Sequence, residues 1–186
     1  MLEIFDNKIK DIDKIYKELK KLPYYYGEVD DINYEPTGLT SELSEDSFTY
    51  KSIKSFIFEN EVLRNKTILR SYVNLFLPRE QPNYHTDGDV GTTLLYYANL
   101  YYDINEGGET KFLSENNTLI SVLPTPGRVV FFPANYKHTA SSFKNKHRFI
   151  QLVSDHYDIW NWTFGNGFGM NGGSNIRSFN ALKQMF

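Results

Sequence analysis

Cysteine is absent from all 186 residues. That excludes disulfides, thiolate metal sites and cysteine nucleophiles. No apolar run approaches the roughly 18 residues that a membrane helix needs. The opening Met1-Leu2-Glu3-Ile4 lacks the form of a secretion signal. Positive charge is not in excess either: 20 Lys and Arg stand against 23 Asp and Glu, a formal net charge of -3, with a pI of about 5.8. An overall field that recruits nucleic acid is therefore missing. Lys137, Lys144, Lys146, His147 and Arg148 do form a local basic cluster. The expectation is a soluble, cytoplasmic protein with no membrane partner.

Aromatic residues are plentiful, with 14 Tyr and 14 Phe among a 40% hydrophobic composition. That suits a β or mixed domain and not a disordered chain. The length fits one domain across residues 1–186. Its pattern changes along the way. Ile4, Ile9, Ile12, Ile15, Tyr16 and Leu19 recur at helical spacing until Pro23 ends the run. The stretch Tyr24–Asp46 is polar and turn-rich. A second helix is expected from Ser47, as N-cap, to about Asn65. The part up to about residue 65 thus reads as helical. From Thr67 the apolar runs shorten: Thr67–Leu77, Thr92–Tyr102, Thr110–Leu113, Leu119–Leu123, Arg128–Phe132 and Arg148–Val153. Gly and Pro lie between them, as in a β-sandwich or barrel. After residue 155 comes an aromatic, Gly-rich loop, Trp160–Gly173, and a short helix from Ser174 through Lys183.

The chemistry is concentrated in a few residues. In a strand, positions i and i+2 share a side, so His85 and Asp87 can hold one metal ion while Thr86 points away. Gly88 lets the chain turn sharply beside it. A third ligand must come from elsewhere, and His138 follows the run ending at Phe132 and Pro133. Two imidazoles and a carboxylate leave three corners of an octahedron open. That ligand set points to non-haem Fe(II) and oxygen rather than to a closed structural zinc site. His156 lies in a loop and is set aside as a ligand. Arg148 shares a strand face with Ile150 and Leu152. A charged group there is costly unless it meets an anion, and a guanidinium fork fits a small dicarboxylate. A strand-start Arg turned to solvent, or paired with Asp or Glu, is the plainer alternative. Leu95 and Tyr97 share a face of another strand, and the Tyr97 hydroxyl can donate to the same carboxylate.

Taken in order, Tyr72, His85-Thr86-Asp87, Tyr96-Tyr97-Ala98-Asn99, Gly107-Gly108-Glu109-Thr110, Pro124-Thr125-Pro126-Gly127 with Phe131-Phe132, His138 and Arg148 resemble the 2-oxoglutarate- and Fe(II)-dependent dioxygenases, in particular the prolyl 4-hydroxylase-like branch of bacterial or phage type. The resemblance spans about Thr67 to Val153. It implies a mainly β fold with flanking helices: a double-stranded β-helix, the cupin-like jelly roll of about eight strands in two sheets. It implies a facial triad of His85, Asp87 and His138. It implies that Arg148 binds the distal carboxylate of 2-oxoglutarate, with Tyr97 and Tyr72 as further co-substrate contacts. Collagen-type prolyl hydroxylases carry Lys at the anchor, so Arg148 matches other branches. Fe(II), 2-oxoglutarate and O2 are the implied cofactors, with ascorbate as a candidate reductant.

The implied reaction is hydroxylation of an unactivated C–H bond, in a prolyl or other residue of a peptide or protein. The alternatives are a free amino acid or small metabolite, a methylated nucleobase, and a non-catalytic jelly-roll binding module. The oligomeric state is not legible. Tyr24–Asp46 and Trp160–Gly173 carry aromatics suited to the mouth of a substrate cleft, and at least one of them is expected to border it.

Overall fold

The computed structural model describes residues 1–26 and 35–155. Strand β1 (Glu3–Phe5) precedes helix α1 (Ile12–Leu19), strand β2 (Leu39–Glu42) and helix α2 (Phe48–Glu59). Seven more strands follow: β3 (Arg70–Phe76), β4 (Thr92–Tyr97), β5 (Thr110–Leu113), β6 (Leu119–Val122), β7 (Val129–Pro133), β8 (His138–Ala140) and β9 (Arg148–Asp155). The strands form two antiparallel sheets. The larger has the order β1-β7-β4-β9-β3-β2 and the smaller β6-β5-β8.

The expected first helix begins late. Ile4 belongs to β1, where it pairs with Val130 of β7. Asn7 and Asp11 have positive φ angles, a conformation that interrupts a right-handed helix, so α1 starts only at Ile12. Its Ile15 and Leu19 are fully buried. Ser47 does cap α2, accepting from the Tyr50 N–H at 3.1 Å. Glu18 of α1 adds a cap from outside, accepting from the N–H groups of Phe48 and Thr49 at 3.0 and 2.7 Å. The helix stops at Asn60 rather than Asn65, because the Asn60 side chain turns back to accept from Val62 and Leu63. Strand β2, inside the stretch expected to be turn-rich, pairs with β3 through Leu39–Glu42. The loop Trp160–Gly173 and the helix from Ser174 lie outside the described residues.

Strand alternation divides the larger sheet into two faces. Val73, Leu94, Tyr96, Val129, Phe131 and Phe149 pack against the two helices. Tyr72, Phe76, Leu95, Tyr97, Val130, Phe132 and Ile150 face Phe112 and Val122 of the smaller sheet. The functional residues occupy this second layer.

Candidate metal centre

The chain after β3 folds over the smaller sheet and is pinned there. Arg79 N–H donates to the Phe143 carbonyl at 2.9 Å. Thr139 and Ser142 hydroxyls donate to the carbonyls of Pro82 and Glu80, each at 2.7 Å. The Phe143 ring fits because residue 108 is Gly: a Cβ there would lie 2.2 Å from it. This anchoring delivers His85 to the start of β8. His85 and His138 exchange backbone hydrogen bonds, both 2.9 Å long, as an isolated antiparallel bridge. Asp87 N–H then donates to the Ala134 carbonyl at 2.9 Å.

The side chains of His85, Asp87 and His138 converge, with one candidate ligand atom from each lying within 4.8 Å of the others. Asp87 Oδ1 is 3.7 Å from His85 Nε2, and Asp87 Oδ2 is 3.6 Å from His138 Nε2. Each imidazole turns its Nδ1 to a backbone carbonyl two residues earlier: His85 to Asn83 at 3.1 Å and His138 to Tyr136 at 2.9 Å. A carbonyl only accepts, so Nδ1 carries the proton and each Nε2 lone pair faces the centre. Phe112 and Phe132 pack on the His138 ring. The donor set suits a divalent metal with open positions for a second ligand.

Arg148 is fully buried at the start of β9. Its Nη1 donates to the Ser141 carbonyl, and its Nη2 donates to Thr110 Oγ1 at 3.1 Å. Its Nε has no partner, and among the described residues no carboxylate forms an ion pair with it. Burial pushes this guanidinium down to about 10, opposed by Tyr97, Glu109 and Tyr102 nearby, so it stays a cation at neutral pH. Tyr97 lies beside it, the guanidinium carbon 5.5 Å from the ring centre, and burial raises the Tyr97 hydroxyl pKa above its ordinary range. That hydroxyl donates to Thr110 Oγ1 at 2.7 Å.

Thr110, read in the sequence only as the end of the Gly107–Thr110 motif, is therefore the hub. Its oxygen accepts from both Tyr97 and Arg148, which fills its lone pairs. Its one proton is left to donate elsewhere, and Thr110 lines the cleft that also holds His85 and His138. Tyr72 lines the same cleft, with the Arg70 guanidinium 4.1 Å from its ring centre. Asn74 is a further unforeseen lining residue, its buried side-chain oxygen without a partner. Thr37 and Thr40, from the Tyr24–Asp46 stretch, border the cleft. Tyr24 does not: its ring packs against Phe149 on the helical side of the sheet. His147 is exposed. His156, Trp160 and Trp162 lie outside the described residues.

No protein-family model and no curated protein matches this sequence. Solved structures do. A prolyl hydroxylase from Trichoplax adhaerens, in complex with a hypoxia-inducible-factor oxygen-degradation-domain peptide fragment, superposes with a TM-score of 0.68 at 14% identity, over 89% of this chain and 87% of that one. A Pseudomonas putida prolyl-4-hydroxylase gives 0.66 at 10% identity, over 84% and 92%. The viral collagen prolyl hydroxylase of Paramecium Bursaria Chlorella virus-1, as its 2-oxoglutarate complex, gives 0.64 at 16% identity, over 84% and 96%. The likeness establishes the fold: mainly β with flanking helices, the double-stranded β-helix found in 2-oxoglutarate- and Fe(II)-dependent oxygenases.

Proposed function

We propose that this chain is an Fe(II)- and 2-oxoglutarate-dependent dioxygenase, acting as a single domain, that hydroxylates an unactivated C–H bond in a prolyl or other residue of a peptide or protein. One observation carries the reading. Both imidazoles of a metal-type triad and a hydroxyl bonded to a buried guanidinium without a carboxylate line one cleft.

In this reading His85, Asp87 and His138 hold Fe(II), which, with 2-oxoglutarate and O2, supplies the oxidising power for hydroxylation and yields succinate and carbon dioxide. The protein's work is placement. Arg148 offers positive charge to the distal carboxylate of 2-oxoglutarate. Thr110 donates its proton there, and Tyr97 fixes the direction of that proton by donating to the same hydroxyl. Tyr72 and Phe76 wall the cleft beside it and exclude water. The carbonyls of Asn83 and Tyr136 keep both imidazoles in the tautomer that binds metal. The likeness to a prolyl hydroxylase solved with a peptide supports a peptide substrate.

The test is succinate formation from 2-oxoglutarate by purified protein with Fe(II), alone and with prolyl peptides or free proline. Turnover that requires Fe(II), rises with peptide and disappears in His85→Ala is the expected result. Protein that binds neither metal nor 2-oxoglutarate would overturn the proposal.

A further inference from the structure

We propose that Thr93 is a positioning residue that restrains Asp87 to a single metal-binding oxygen; the inference rests on the triad being a metal centre. Thr93 is the second residue of β4, on the same face as Leu95 and Tyr97, and is fully buried. Its hydroxyl donates to Asp87 Oδ2 at 2.6 Å. A hydrogen bond to an ionised carboxylate is short and about twice as strong as a neutral one.

The choice of residue is informative. A buried β-strand position accepts Val as readily as Thr on grounds of shape and propensity. A buried hydroxyl is costly unless it is bonded. At position 93 the hydroxyl is bonded to Oδ2 of a carboxylate whose Oδ1 lies 3.7 Å from His85 Nε2 and whose Oδ2 lies 3.6 Å from His138 Nε2. In the strand register Thr93 lies between Phe132 of β7 and Ser154 of β9.

The consequence follows from counting positions. A carboxylate is free to bind a metal through one oxygen or two. Through two, with both imidazoles, Asp87 would occupy four corners of an octahedron. A chelating keto acid would then take the last two and leave no place for O2. With a lone pair of Oδ2 taken by the Thr93 hydroxyl, Asp87 would offer a metal Oδ1 alone, and three corners would stay open. Thr93 thus protects the vacancy that oxygen chemistry needs, without touching metal or substrate.

The experiment titrates full-length apoprotein with Mn(II), following free ion by electron paramagnetic resonance and metal-bound water by proton relaxation. Wild type and Thr93→Ser are expected to bind alike and to show the same number of bound waters. Thr93→Val is expected to bind about 10–100-fold more weakly, the range for loss of an outer-shell partner, and to show one bound water fewer. Melting curves without metal establish that each variant is folded. If Thr93→Val is recovered unfolded, Thr93→Ala, which removes the hydroxyl without adding a methyl in its place, takes the same role. A folded Thr93→Val with wild-type affinity and hydration would overturn the inference. So would a folded Thr93→Ser as impaired as Thr93→Val, since size and not the hydroxyl would then matter. Absence of Mn(II) binding by wild type would instead overturn the metal centre itself.

Discussion

Tyr96 and Tyr97 are neighbours in β4, yet they belong to different worlds. Tyr96 is fully buried among the helices, in a cluster of aliphatic and aromatic side chains, and its hydroxyl is unpartnered. Tyr97 is equally buried on the other face, but its hydroxyl bonds to Thr110 beside Arg148. The same contrast runs through the sheet: Phe149 packs on Tyr16 of α1, while Arg148, one residue earlier, carries charge to the Thr110 hydroxyl that lines the cleft. One face holds the molecule together by apolar burial. The other places polar groups in a dry setting where each interaction is strong. A one-residue slip would exchange the two roles, so the helical layer also serves the site by fixing the register.

The contrast is broken most completely by removing a ligand. His138→Ala should reduce 2-oxoglutarate turnover to background and abolish tight Mn(II) binding, measured by succinate release and metal titration. Its melting temperature without metal should fall, because the buried His138 ring packs on Phe112 and Phe132 and bonds to the Tyr136 carbonyl, while the backbone bridge to His85 is kept. Substantial retained turnover would separate the triad from catalysis.

Arg148→Met should come next. Loss of the buried cation should weaken 2-oxoglutarate binding by about 2–5 kcal/mol, the cost of deleting one partner of a buried charged contact. Calorimetric titration of the metal-loaded protein measures it. Stability should move the other way. Burial depresses the folded-state pKa of Arg148 to about 10, so in alkali the folded protein releases this proton before the unfolded chain does. Stability conferred by that difference rises with pH, and the penalty of the buried charge is in full force below about pH 10. Ligand-free Arg148→Met should therefore melt at or above the wild-type temperature at neutral pH, with the gap narrowing only above about pH 10.

On the helical face, Leu94→Ala should cost about 2–5 kcal/mol of stability by denaturant unfolding. The affinity of the folded fraction for 2-oxoglutarate should stay at the wild-type value. A parallel loss of affinity would show that the two layers are not separable. The smallest effect is expected at the edge of that layer: Ser47→Ala should remove about 1 kcal/mol, because Glu18 still caps α2, and should leave metal binding unchanged.

What the sequence disclosed follows the same division. Strands rich in β-branched and aromatic residues stood out: Thr110–Leu113 matches β5 residue for residue. Strands β1, β2 and β8 did not, because three or four residues such as Leu39-Thr-Ser-Glu are too short and polar to show a period. Their pairing is imposed by neighbours. His85 and Asp87 were legible as a pair because positions i and i+2 of a strand share a side, and His138 from its place in the ordered set of motifs; the three side chains do converge. The roles of Thr93 and Thr110 were not legible, since hydroxyl residues are common in strands. What distinguishes them is a partner brought near by tertiary pairing, as when Arg148 meets Thr110 across 38 positions.

The bridge between His85 and His138 has a thermodynamic consequence. Where a metal must gather its own ligands from a disordered chain, part of its binding free energy is spent on closing the loops between them, and a chelator unfolds the protein. Here two backbone hydrogen bonds close that loop before any ion arrives. Loading and unloading should then obey simple mass action: an ion at about 100 times its dissociation constant adds about 2.7 kcal/mol to stability, and chelation returns a folded, refillable protein.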